Sequence, residues 1–85
     1  MTDHMAVFAV VMKYPNGNRG YHSAWMRRED AERIANVHNG NWHWRYEVEE
    51  KIPVREAHTF WERQRTVWFE DSIGGILLQE PLRGA

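Results

Sequence analysis

The residues that could do chemistry are scattered rather than grouped. Of the five histidines, His4 is terminal. His22, His38, His43 and His58 form no His-x-His or His-x-x-x-His pair on one predicted element, whereas zinc needs three or four ligands converging at about 2.0–2.1 Å. The chain has no cysteine, which removes thiolate ligands and disulfide staples together. The expectation is therefore no metal and no cofactor, with the histidines as polar surface residues and His38 at the favourable C-terminal end of a helix. Ser23 and Ser72 are the only serines, and neither sits in a Gly-x-Ser-x-Gly setting. Glu47, Glu49 and Glu50 cluster, but Glu47 and Glu49 belong to the solvent face of a predicted strand. Asn16-Gly17-Asn18-Arg19-Gly20 precedes a strand, so it lacks the helix N-terminus that phosphate cradles use. No nucleophile stands beside a base, and the chain is expected not to be an enzyme.

What stands out instead is aromatic bulk: five Trp in 85 residues. Trp and Arg are the residues most enriched at interface hot spots. Arg27-Arg28, Arg63 and Arg65 interleave with Trp25, Trp61 and Trp68, a pattern that can also stack bases. A net charge of −1, and the dilution of both patches by Glu29, Glu32, Glu62 and Glu70, argue against nucleic acid. A small sheet under one helix can bury Phe8, Trp42 and Trp44, but hardly the bulk of the final third as well. The expected anchors for a partner protein are Trp61, Trp68, Leu77 and Leu78, with Arg63 and Arg65 setting orientation. A homodimer would satisfy the same physics, and a nucleic-acid-binding accessory domain is the alternative from another class.

These residues need elements to hold them. The length fits one domain with a thin stability margin: a core over 5–52, and a C-terminal helix or arm over 53–85. Met5–Tyr14 is a nearly continuous apolar run, a strand covered on both faces. The Pro15–Gly20 turn leads into Tyr21–Met26, whose alternation puts Tyr21, Ser23 and Trp25 on one face and His22, Ala24 and Met26 on the other. From Arg28 the period changes. Ala31, Ile34, Ala35 and His38 make a helical stripe, with Glu29 and Asp30 at its positive end. Over Asn41–Ile52, Trp42, Trp44, Tyr46 and Val48 share one strand face and His43, Arg45, Glu47, Glu49 and Lys51 the other. Helical spacing of Val54, Ala57, Phe60/Trp61, Gln64 and Val67/Trp68 favours a second helix from about Val54 to Asp71. A hairpin across Ile73-Gly74-Gly75 is the competing reading. Ile76–Leu82 is expected to be a short edge strand or an extended arm. The class is α+β: an antiparallel sheet of β-hairpin, helix and strand with a helix on one face, plus a C-terminal helix or hairpin.

The stretch REDAERIANVHNGNWHWRYEVEEKI, within a match running from about Val7 to Ile52, resembles small accessory proteins of actinobacteriophages, mycobacteriophages above all. The resemblance implies a phage source, no enzymatic activity, a host protein as partner and the host cytoplasm as location. It carries no functional residues with it. No apolar run approaches the ~18–20 residues that cross a bilayer, and no signal peptide or membrane association is expected.

Overall fold

β-branched and aromatic residues dominate Val7–Lys13 (β1) and recur in Arg19–Trp25 (β2), and the two pair antiparallel. The turn between them closes with Gly17 N–H donating to Tyr14 O at 3.0 Å, and Gly17 takes φ 89°, a conformation open to glycine at no steric cost. The computed structural model describes residues 5–39, 44–59 and 64–80. It continues with a helix over Arg28–Asn39 (α1), then strands Arg45–Lys51 (β3), Arg55–Thr59 (β4), Gln64–Trp68 (β5) and Ile76–Gln79 (β6). Together they make an α+β domain with one six-stranded sheet in the order β3-β1-β2-β6-β5-β4. All pairings are antiparallel except β2 with β6, which is parallel. None of the described residues forms a helix long and apolar enough to cross a membrane.

Three sequence expectations need correction. No helix covers 54–71: the described residues there form β4 and β5, because Thr66, Val67 and Trp68 favour a pleated surface and gain a partner strand on each side. Ile76–Gln79 is neither edge nor arm but lies between β2 and β5, and this parallel neighbour makes the sheet mixed rather than antiparallel. Tyr21 and Trp25 do not share a face. The register runs Val10↔Ser23 and then Val11↔Tyr21, so His22 is an extra, bulged residue, and strict alternation is lost by one position.

The sheet must curl. Its outermost strands, β3 and β4, are consecutive in the chain, joined only through Ile52-Pro53-Val54. A flat sheet would hold them about 24 Å apart, at ~4.8 Å per strand, while the link from Lys51 to Arg55 reaches at most ~15 Å. One packed cluster accordingly unites Val7, Ala9 and Val11 of β1, Ala24 of β2, Val67 of β5, Leu78 of β6 and Phe69, with Tyr21 and Ile76 against it. Small Ala9 and Ala24 line this concave interior, where both are fully buried. The alternate residues of β1–β3 (Phe8, Val10, Met12, Trp25, Tyr46, Val48) pack with Ala31, Ile34 and Ala35 of α1. The helix packs most extensively against β3. At its end the Asn39 amide donates to Tyr46 O at 2.9 Å and accepts from Tyr46 N–H at 2.7 Å, taking the place an added strand would occupy.

Candidate functional site

The period-two pleat sorts the expected partner-binding residues onto opposite sides of the sheet. The pairings Arg65↔Leu78 and Val67↔Ile76 put these four on the concave face, while Thr66↔Leu77 and Arg55↔Trp68 belong to the convex one. Leu78 is only 8% exposed and sits in the core cluster. Arg65 forms an ion pair with Glu56 on the same concave side, with Nε–H donating to Oε1 at 2.5 Å. Leu77 is 46% exposed, and Trp68 is half-buried. Trp61 and Arg63 lie outside the described residues. Of the six expected anchors, the structure therefore brings Trp68 and Leu77 together on one surface and turns Arg65 and Leu78 away from it.

That convex surface of β4, β5 and β6 has a definite construction. The Arg55 guanidinium carbon lies 4.4 Å from the Trp68 ring centroid, a cation–π geometry. Below the ring is Gly75, where an added Cβ would meet the Thr66 methyl first and fall 2.8 Å from Trp68 Cζ2, so glycine is what lets both side chains lie close to the backbone. Ala57 and Thr66 complete the face, and exposed Val54 adjoins it, its N–H donating to Trp68 O at 2.8 Å. Arg55 was not singled out from the sequence. Arg55 and Trp68 meet across the pairing of β4 with β5, a hairpin that the sequence reading, whose competing hairpin turned at Ile73-Gly74-Gly75, did not contain.

A second constellation escaped sequence reasoning altogether. Lys51 of β3, Tyr21 of β2 and Asp71 after β5 meet at the concave mouth. Tyr21 OH donates to Asp71 Oδ1 at 2.5 Å and accepts from Lys51 Nζ at 2.5 Å, with Lys51 Nζ 3.4 Å from Asp71. Burial, followed by the hydrogen bond to Asp71, pushes the Tyr21 phenol up. The Tyr21 hydrogen bond and then Lys51 hold the Asp71 carboxyl below its ordinary range. Burial acts against the Lys51 ammonium, but Tyr21 and Asp71 outweigh it and raise its pKa. The phenol thus keeps its proton and both charges are locked, which suits a latch across the curled sheet rather than a proton acceptor. Beside it a cleft of about 300 Å³ runs between Arg19, Asp71, Ile73 and Ile76. Arg19 is neutralised there by Glu49 at 2.7 Å, and Lys13–Glu47 at 2.5 Å extends the ladder of pairs.

The histidines divide. His22, placed by the bulge, has its ring 4.6 Å from that of His38, which stacks on Tyr46 at 4.8 Å. Desolvation, and then the neighbouring His38, pull the His22 pKa down. His58 is exposed on β4, and His4 and His43 lie outside the described residues. Among the described residues no group of three or more His, Asp or Glu side chains could hold a metal ion. Comparison with protein-family models, with curated proteins and with solved structures finds no match.

Proposed function

We propose that this is a small phage-type accessory protein that works without chemistry of its own, by binding a host protein whose activity it blocks or alters. The convex face of β4–β6 is its docking surface. One observation carries the reading: α1 packs on β1, β2 and β3, while the same side of the other half of the sheet presents Leu77, Trp68 and Arg55 with no described element over them. Two layers are the rule for such sheets, and among the described residues the second layer covers only half of this one.

The occupant we infer is an amphipathic helix of the partner, laid beside α1 at the ordinary interhelical spacing of about 8–10 Å. Its apolar stripe would cover Leu77 and the Trp68 ring. Its acidic residues would meet Arg55, which has no carboxylate partner among the described residues. Trp68 and Arg55 together have the character of an interface hot spot.

The test is capture of a host protein by the chain carrying a photo-cross-linker at Thr66, repeated in two variants. Leu77→Asp should abolish the adduct while leaving the circular dichroism unchanged. Val37→Asp, on the exposed side of α1, should leave capture intact. Equal capture by Leu77→Asp and by the parent chain overturns the assignment of this face.

A further inference from the structure

We infer that the chain pairs with a second copy of itself through the outer edge of β4, giving a closed two-fold dimer whose sheet runs through both protomers. The inference stands on the two ends of the sheet and is independent of the convex docking face.

The outermost strands are not equivalent. At β3 the Asn39 amide already holds the N–H and C=O of Tyr46, next to the end of α1, so a further strand could pair there only by displacing it. Among the described residues β4 has one strand neighbour, β5. Every second N–H and C=O of Arg55–Thr59 therefore points away from β5, toward a side where no described strand lies, a template for another strand. A chain with two open edges would polymerise, whereas one open edge closes after a single antiparallel self-pairing.

The sequence of β4 selects a register. For the concave faces of both copies to remain on one side, residues directly opposite must share a face, so their numbers must sum to an even value. A sum of 112 would set Glu56 against Glu56 of the other copy, and a sum of 116 would set His58 against His58. A sum of 114 places Glu56 opposite His58 twice, Arg55 opposite Thr59 twice, and Ala57 on the two-fold axis. Like charges directly opposite destabilise; at 114 each Glu56 faces an imidazole that can hydrogen-bond to it instead of a second carboxylate, and the small Ala57 side chain lets the strands approach at the axis. Glu56 remains within reach of Arg65 on its own sheet, so the central concave strip is a symmetric Arg65–Glu56–His58 alternation.

Sedimentation equilibrium of the full chain tests this. The expected result is a mass twice 10.2 kDa that dissociates on dilution. His58→Glu, a change at an exposed position, should weaken the dimer by about tenfold or more, and His58→Lys should preserve or tighten it. Hydrogen exchange provides a readout that needs no variant: amides of 55–59 should lose protection on dilution in step with the mass. A monomer at all concentrations overturns the inference, and so does a dimer indifferent to His58→Glu or one whose 55–59 amides exchange freely. Leu77→Asp, which addresses the docking face, should leave the dimer unchanged, so either reading can fail alone.

Discussion

Tyr21→Phe removes one oxygen atom and tests the latch across the curled sheet. The lost hydroxyl donates to Asp71 and accepts from Lys51, each at 2.5 Å. Hydrogen bonds to charged groups contribute about 1.5–3 kcal/mol each when buried. Here the Asp71 side chain is 46% exposed and that of Lys51 23%, so solvent screening reduces each to about 1 kcal/mol or less. The direct Lys51–Asp71 contact at 3.4 Å survives and recovers part of the loss. The expected cost is about 1–2 kcal/mol, or roughly 4–12 °C in Tm for a domain of this size.

The pH dependence makes the test specific. Asp71 has its pKa depressed by the Tyr21 bond and then by Lys51. Its contribution is complete above the unfolded value near 4 and is lost as pH falls through the folded one. The Tyr21 pKa is raised by burial and by Asp71, and that of Lys51 is raised by Tyr21 and Asp71 against its burial. Their contributions are complete below about pH 10 and are lost as pH rises beyond it. The stability difference between the parent chain and Tyr21→Phe should therefore form a plateau at neutral pH that declines on both sides. Urea denaturation at several pH values measures it. A difference under about 0.3 kcal/mol at pH 7, or one that stays constant down to pH 2.5, would refute the reasoning, since neither fits a bond between ionised partners.

Two further substitutions probe the convex face and the sheet edges. Gly75→Ala forces its Cβ first against the Thr66 methyl and then against the Trp68 indole and should cost about 1–3 kcal/mol by overpacking; Trp68→Ala alone should return only part of it and Thr66→Ser with Trp68→Ala most of it, measured by urea denaturation. Asn39→Ala removes both hydrogen bonds to the Tyr46 backbone and should cost about 1–2 kcal/mol. It also frees the second edge of the sheet, so light scattering should report concentration-dependent growth beyond a dimer.

How much of this was legible in the sequence follows from how local each signal is. The β1–β2 hairpin, α1 and β3 were readable because their periods are set within one element: alternation in Trp44–Lys51, and the stripe Ala31, Ile34, Ala35. The bulge at His22 was not, since it is fixed by where β1 and β2 agree at both ends, and nothing in YHSAW marks it. Nor was the fate of 54–71. Val54, Ala57, Gln64 and Val67 happen to fit a helical period, and only pairing with β6, which is 12 residues beyond Gln64 at its start, decides for strands. The latch lies further from any local signal still, because residues 21, 51 and 71 meet only once three separate strands are in place.

The candidate surface shows the same limit at the scale of neighbouring residues. Leu77 and Leu78 read as one apolar anchor, but adjacent residues on a strand face opposite ways, so a strand can offer only one of them to a partner. Here the concave side takes Leu78 along with Val67 and Phe69, and on the convex face of β4–β6 the surplus of apolar bulk suggested by composition comes down to Leu77 and the outer part of Trp68, with Ile52, Val54 and Ile73 exposed outside the strands. A patch so narrow cannot bind through area, and affinity does not follow area in any case. It can bind through one aromatic anchor kept in place before the partner arrives. Gly75 beneath the indole and Arg55 above it are the means of holding Trp68 there, so the cost of ordering that side chain is met in folding rather than in binding. A partner helix would then need little more than a few apolar residues and an acidic neighbour to recognise this face.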